Sequence, residues 1–330
     1  MKVYRDISLK AYNTFGIAAK AQRLAVMEDD DDVALAPILI NRHSLVLGAG
    51  SDTVFTRDFD GTVVTFSNEK TDGQTIRQSG NQLTVWAGMK MDDLVQWTLD
   101  HGLYGLENLS AIPGTVGAAV VQNVGAYGAE AKDTVASVEV IDLYTGDMRT
   151  YTGEECRFGY RTSRFKEETD VRELVVYVTF ALKDTYVPNL SYKALEGLPH
   201  ESAQQMRDAI TALRWTKLPR PEEHGSAGSF FKNPVVDEAT YMRLKSEYPD
   251  MPEAHKVNAR DYKLSAGWLI DKAGWKGKTM GRVGVWPENA LVLYNLGGCT
   301  GDEVVALAND IQADVEQKFG IALSPEAIII

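Results

Sequence analysis

Hydrophobic and polar positions along the chain follow two regimes. In the first, apolar residues come in short β-type runs at 24–27, 45–47, 62–66 and 83–87, with turn residues between them. Residues 135–142 alternate, and in 174–182 Leu174, Val176, Val178, Phe180 and Leu182 share one face, as a half-buried strand requires. One helix interrupts at 91–101, with Met91, Leu94, Val95 and Leu99 on one side. This half reads as an α+β sheet domain. Helical spacing of Met206, Ile210 and Leu213 predicts a helix over 202–215. The proline-punctuated segment Lys217-Leu218-Pro219-Arg220-Pro221 follows it and marks the best domain boundary. Beyond it come short helices at 238–247 and 265–273, a strand at 290–294 and a long helix at 302–319. In the long helix Val304, Leu307, Ala308, Ile311 and Val315 form one stripe, and Gly320 stops it. A terminal strand at 327–330 is apolar throughout, which predicts burial back against the first domain. No internal repeat is visible.

Composition narrows the function. Of 330 residues, 44% are apolar and 24% charged, an ordinary globular balance that excludes a disordered or collagen-like chain. No apolar run reaches the roughly 18–20 residues of a membrane span. The start, Met1-Lys2-Val3-Tyr4-Arg5-Asp6, has no export-signal stretch, so a cytoplasmic protein with no membrane partner is expected. Cys156 and Cys299 read as free thiols in a reducing compartment. The net charge of −12 argues against a nucleic-acid partner but leaves room for a small phosphorylated ligand in a locally basic site. The acidic run Glu28-Asp29-Asp30-Asp31-Asp32 lacks the turn glycine and alternating ligands of a calcium loop and reads as a helix start. The five histidines show no metal-ligand spacing, so no metal is expected.

Five segments could carry chemistry. In Leu47-Gly48-Ala49-Gly50-Ser51-Asp52 a strand enters a glycine loop, as a pyrophosphate nest begins. Thr53 stands where a dinucleotide fingerprint needs its third glycine, and no helix follows, so a Rossmann site is not expected. On spacing alone a tight turn explains the segment equally well. A second glycine-rich stretch spans Ile112-Pro113-Gly114-Thr115-Val116-Gly117-Ala118-Ala119 and Gln122-Asn123-Val124-Gly125-Ala126-Tyr127-Gly128. It lets backbone approach a ligand closely, or simply makes two structural turns. Tyr160 and Arg161 set a phenol beside a permanent cation, suited to a carboxylate or a developing enolate. Ser229, in a glycine turn beside Phe230 and Phe231, is a candidate proton donor and not a hydrolase elbow. Glu326 follows Pro325 beside a very apolar tail, where burial favours acid–base work.

Taken in order, these motifs resemble the UDP-N-acetylenolpyruvoylglucosamine reductase (UDP-N-acetylmuramate dehydrogenase) family. The resemblance runs from Asn13-Thr14-Phe15-Gly16 to Ser324-Pro325-Glu326. Its most specific stretches are Gly105-Leu106-Glu107-Asn108-Leu109 with Ile112-Pro113-Gly114, 122–128, Cys156-Arg157-Phe158-Gly159-Tyr160-Arg161, 228–234 and Ala266-Gly267-Trp268-Leu269-Ile270-Asp271. It implies an α+β fold: a two-lobed FAD-binding domain of the vanillyl-alcohol-oxidase (PCMH) type and a smaller α+β substrate-binding domain. The lobes fall at 1–68, with 322–330 returning to it, and at 69–219; the substrate domain falls at 220–321. FAD, held non-covalently, is implied against Leu47 to Thr53, against Ile112, Pro113, Gly114, Thr115, Gly117 and Ala118, and against Gln122, Asn123, Gly125, Ala126 and Tyr127. Arg214 matches a flavin-contacting arginine. Tyr192 matches the mobile tyrosine of the longer subtype. Lys217 and Asn233 match positions for the diphosphate and sugar, and Tyr160 and Asn289 join them as substrate contacts.

The implied reaction has two halves. NADPH, as co-substrate, delivers hydride to the flavin and leaves. UDP-N-acetylglucosamine enolpyruvate then takes hydride at its methylene carbon. Arg161 and Glu326 stabilise the enolate, and Ser229 protonates it. The product is UDP-N-acetylmuramate for the bacterial cell wall, made by a monomer. Three positions depart from the pattern: Asp52 replaces a usual asparagine, Trp286 a frequent histidine and Ile328 a common arginine. The competing readings are another FAD-dependent sugar or alcohol oxidoreductase of this fold, and a non-catalytic nucleotide-sugar binder.

Overall fold

The alternating run near residue 174 becomes the central strand, Glu173–Ala181, of a five-stranded antiparallel sheet. This structure, a computed structural model, describes residues 1–167 and 172–330. Across the sheet the order is Met148–Thr152, Val135–Asp142, Glu173–Ala181, Gln82–Trp86 and Ile76–Ser79. The five apolar residues predicted to share one face do not. Val178, Phe180 and Leu182 enter one core cluster, whereas Leu174 and Val176 enter another with Trp86 and Tyr177. The pairing shifts register between Glu139 and Val140, opposite Tyr177 and Val175, so Val176 is the extra residue of a bulge and the face inverts there.

The chain divides into two units. The first comprises Met1–Ile7, Ala21–Ala49 and Phe59–Arg214; the second comprises Ser8–Lys20, Gly50–Asp58 and Trp215–Ile330. In the first, a four-stranded sheet runs in the order Lys2–Ser8, Lys20–Met27, Phe59–Phe66, Ser44–Val46. Its last three strands pair parallel. Strand Lys2–Ser8 escapes hydropathy because nearly all of it is exposed at the sheet edge. The acidic run begins the short helix Asp30–Ala34, where the Asp29 carboxylate accepts the Asp32 N–H. Helix Met91–Asp100 buries Met91, Leu94, Val95 and Thr98; Leu99 is only half-buried. Thr98 tolerates burial because its hydroxyl donates to the Val95 carbonyl at 2.8 Å.

The glycine-rich stretch contains a helix that its composition hides, Val116–Gln122, capped by Thr115. Helix Ala203–Lys217 runs further than its apolar spacing predicts and takes in Lys217.

The second unit is built on a sheet ordered Ser226–Ser229, Val292–Asn295, Val283–Val285, Thr279–Met280. The long helix, Gly301–Phe319, buries the predicted stripe. A capping box between Thr300 and Glu303 starts it, and Gly320 at φ +70° ends it. Strand Ile328–Ile329 pairs parallel with Thr53–Val54. The tail is less buried than its hydropathy predicts: Ile328 and Ile329 are exposed, because this two-stranded ribbon leaves them no further layer to pack on.

Candidate active site

The first glycine segment leaves strand Ser44–Val46 through Leu47, whose N–H donates to Val64 O at 2.8 Å. At Gly48 there is no room for a side chain. A Cβ there would stand 2.8 Å from Ala118 Cβ and 3.0 Å from Thr115 Oγ1, so Gly48 packs against the second glycine segment. Ala49 ends this stretch of the first unit. In the second segment Ile112 is buried, Gly114 holds φ +135°, and the helix begins at Val116. Its first amides are already used. Val116 N–H donates to Met89 O at 2.8 Å and Gly117 N–H to Ala87 O at 2.9 Å. Thr115 Oγ1 accepts from Ala118 N–H at 3.4 Å. The helix start is therefore docked onto the protein and is not an open phosphate nest. The packing there forbids a Cβ on Gly117, which would lie 2.8 Å from Ala87 Cβ.

Gln122 ends that helix, its side chain bonded to Lys166. Asn123 caps it at φ +44° and is wholly buried. Asn123 Nδ2 donates to Gly159 O at 2.8 Å and its Oδ1 accepts from Lys132 N–H at 3.1 Å. Assigned by resemblance to the flavin-lining set, Asn123 commits its side chain to backbone instead. Gly125 and Ala126 pair with Ala129 and Glu130 in a two-residue hairpin around Tyr127 and Gly128. Tyr127 also lies in the left-handed region, at φ +50°.

Tyr160 and Arg161 are the central residues of a turn closed by Gly159 and Thr162, whose N–H and C=O groups exchange bonds of 3.0 and 3.4 Å. Arg161 has φ +56°, a conformation that costs a side-chain-bearing residue about 1–2 kcal/mol. Its Nη2 donates to Gly125 O at 2.7 Å, and Glu130 Oε1 lies 3.9 Å from Nη1. The guanidinium also faces the Tyr160 ring at 5.2 Å. Strained backbone thus gathers where the sequence places chemistry.

Tyr192 is half-exposed, edge-on to Tyr127 with ring centroids 5.5 Å apart. Its loop is fastened to the Tyr127–Gly128 turn by Asn108, which the sequence places in a specific stretch without a role, and by Asn189, which it does not single out. Asn108 Nδ2 donates to both Tyr127 O (2.7 Å) and Asn189 O (2.9 Å), and Asn189 Nδ2 donates to Gly128 O (3.1 Å). No local pattern could reveal these, since the partners lie far apart in sequence. Arg214, near the end of helix Ala203–Lys217, bonds the Tyr127 phenol. Burial pulls its guanidinium below the ordinary value, and its Nε has no acceptor among the described residues.

In the second unit the rest of the first glycine segment is fixed by Gly50 (φ +61°). A Cβ on Gly50 would come within 2.2 Å of Tyr12 O. Gly50 O accepts from Thr14 N–H at 3.2 Å. Ser51 and Asp52 lead into Thr53, which is buried, and Asp52 O accepts from Ile328 N–H at 2.8 Å. Ser229 ends strand Ser226–Ser229 just after a register shift. Ser226 opposes Tyr294 whereas Ser229 opposes Val292, and Gly228 between them has φ +66°. The bulge re-aims the serine; a lone glycine in a strand-like run was the sequence signal for it. Glu326 is half-buried, and its N–H donates to Phe230 O at 2.8 Å. The structure thus sets Glu326 beside the strand of Ser229. Asn233 Oδ1 accepts from Ala266 N–H at 2.9 Å, at the start of helix Ala266–Lys272. Asn289 Oδ1 accepts from Leu291 N–H at 3.1 Å in the turn before strand Val292–Asn295. Lys217 is exposed at its helix end.

These residues fit an FAD. At Gly48 and Gly125 the space of a side chain is filled by the protein's own neighbouring segments, which holds the two glycine-rich stretches in fixed places. Arg214 supplies a cation whose buried Nε has no acceptor among the described residues. Comparison with known proteins agrees. Residues 21–152 match the FAD binding domain family, and residues 220–330 match the C-terminal domain of UDP-N-acetylenolpyruvoylglucosamine reductase. The chain is 43% identical over 338 residues to the UDP-N-acetylenolpyruvoylglucosamine reductase of Burkholderia cenocepacia, covering 98% of this chain and 96% of that one. The enzyme of that name from Pseudomonas aeruginosa is 43% identical over 337 residues, covering 99% and 98%. The crystal structure of the reductase from Thermus caldophilus superposes with a TM-score of 0.72 at 27% identity, over 100% of this chain and 99% of that one. On these grounds the chain belongs to the UDP-N-acetylenolpyruvoylglucosamine reductase family, an α+β flavoprotein fold.

Proposed function

We propose that the protein reduces UDP-N-acetylglucosamine enolpyruvate to UDP-N-acetylmuramate at the expense of NADPH, for peptidoglycan synthesis. When bound, FAD supplies the two-electron relay between the dinucleotide and the nucleotide sugar. The observation that carries the reading is the pairing of the Ser229 and Glu326 segments through Phe230 O. It sets the backbones of the two segments side by side, which supports giving the hydroxyl and the carboxyl a shared task in the protonation of one carbanion. An alcohol or sugar oxidase, which forms no such carbanion, has no use for the pair.

Each residue then has a task. After hydride reaches the methylene carbon, negative charge develops at the α-carbon and spreads into the carboxylate. Arg161, fixed at both its backbone and its guanidinium, stabilises that charge without reorganising. Glu326 adds a second contact to the same group. Ser229 Oγ gives its proton to the α-carbon and regains one from solvent. A hydroxyl serves here only because the enolate is strongly basic and water is excluded. Tyr192 covers the nucleotide, while Lys217, Asn233, Asn289 and Tyr160 hold its diphosphate and sugar. Residues 1–68 with 322–330, and 69–219, hold FAD, and 220–321 hold the substrate. Backbone at Leu47 to Thr53, at 112–118, at Gln122 and at 125–127, together with Arg214, lines the cofactor. Asp52 and Ile328 make this lining more acidic and less cationic than the family pattern. The enzyme works as a cytoplasmic monomer on a small molecule. Among the described residues no helix is long and apolar enough to cross a membrane.

Anaerobic spectra of the purified yellow protein test the reading. NADPH should bleach it, and only the enolpyruvyl nucleotide should restore the colour. Restoration by a simple sugar or aldehyde, or a colourless protein that binds the nucleotide, would overturn it.

A further inference from the structure

We propose that Asn123 is a positioning residue for Arg161, clamping the turn that presents the guanidinium and touching neither cofactor nor substrate. The proposal rests on the reading of Arg161 as the enolate's partner. Asn123 is wholly buried, and its amide is satisfied on both sides by the protein. Nδ2 donates to Gly159 O at 2.8 Å, the carbonyl that opens the Gly159–Thr162 turn and accepts the turn's own closing bond from Thr162 N–H. On the other side Lys132 N–H donates to Oδ1 at 3.1 Å. Two residues after Asn123, Gly125 O receives Arg161 Nη2 at 2.7 Å. The same short segment therefore holds Arg161 twice, at the root of its turn through a side chain and at its tip through a carbonyl.

Such a double hold has a physical reason. Arg161 sits at φ +56°, where an arginine does not stay by preference. A strained turn persists only when its surroundings over-determine it. Glu130 completes the set: its Oε2 lies 3.4 Å from Asn123 Nδ2, while its Oε1 lies 3.9 Å from Arg161 Nη1. Without Asn123 the turn loses the 2.8 Å hold on Gly159 O, the carbonyl whose own closing bond from Thr162 N–H is 3.4 Å. The guanidinium would then wander, and an error of about 1 Å in a catalytic group costs on the order of 100-fold in rate.

The test uses two variants and a double variant of the FAD-loaded enzyme. Asn123→Gly keeps the left-handed backbone and removes the clamp. Asn123→Asp keeps the shape and the acceptor for Lys132 N–H but turns the donor toward Gly159 O into a second acceptor. Both should keep FAD and be reduced by NADPH at the wild-type rate, while reoxidation by the enolpyruvyl nucleotide slows about 10- to 100-fold. Combining Asn123→Gly with Arg161→Gln should be no slower than Arg161→Gln alone, because both act through one group. Reoxidation within about twofold of wild type in both Asn123 variants, or a multiplicative loss in the double variant, would overturn the proposal. So would equal slowing of both half-reactions with loss of FAD, the mark of a merely structural role. If Arg161→Gln itself reoxidises normally, the assignment of Arg161 fails first and the proposal falls with it.

Discussion

Glu326 donates its backbone N–H to the carbonyl of Phe230, the residue after Ser229, at 2.8 Å. Strand pairing therefore sets the backbones of the two segments side by side. The bridge between Phe231 and Pro325 and the bond from Lys232 N–H to Ser324 O (3.0 Å) extend the same register. Side-chain substitutions at either position should leave the arrangement standing.

Ser229→Ala follows directly. The variant should take up FAD and accept electrons from NADPH at the normal rate. Reoxidation by the enolpyruvyl nucleotide should fall about 10²- to 10⁴-fold, the usual worth of a positioned proton donor. Stopped-flow spectra of the two half-reactions check it; equal slowing of both removes Ser229 from the acid role.

Gly48 offers a steric test of cofactor retention. A Cβ there meets Ala118 Cβ at 2.8 Å, so Gly48→Ala must push two chain segments apart. Overpacking of this kind costs about 1–3 kcal/mol. FAD affinity, followed by flavin fluorescence on titration, should drop accordingly. Adding Ala118→Gly removes the nearest atom and should restore part of the loss. A single variant that holds FAD as tightly as the wild type would show that the close approach does not shape the cofactor's bed.

The long helix carries an acid-sensitive cap. Glu303 receives the Thr300 N–H at 2.8 Å and Arg282 Nη2 at 3.0 Å, and these hold its carboxyl at about 2, below the ordinary 4.5. A depressed carboxyl stabilises the fold above its unfolded value, and that contribution disappears as pH falls through the folded one. Melting temperatures of wild type and Glu303→Gln should therefore differ at neutral pH and converge between about 4.5 and about 2. A gap that persists at pH 2 would mean that packing, not charge, sustains the cap.

Legibility differed sharply between elements. The strand Val135–Asp142 and the helix Glu238–Glu247 stand at the predicted bounds, because each reads its surroundings through its own periodicity. The failed fingerprint at Thr53 was equally informative. The chain turns there into the short strand Thr53–Val54 and not into a nucleotide-binding helix. Helix Val116–Gln122 was missed because glycines and alanines mask helical spacing; Thr115, a capping residue three before Ala118, was the overlooked sign. The inversion at Val176 and the clamp of Asn123 on Gly159 could not be read at all. One depends on a bulge formed against the neighbouring strand, the other on a partner 36 positions away.

The ribbon formed by Ile328–Ile329 and Thr53–Val54 has a consequence for synthesis. A nascent polypeptide emits Thr53–Val54 long before their mate, Ile328–Ile329. The second unit, interleaved in sequence with the first, cannot zip this ribbon closed until both of its strands have emerged. Pairing over such a sequence distance is slow, so completion of this unit lags the synthesis of its first strands.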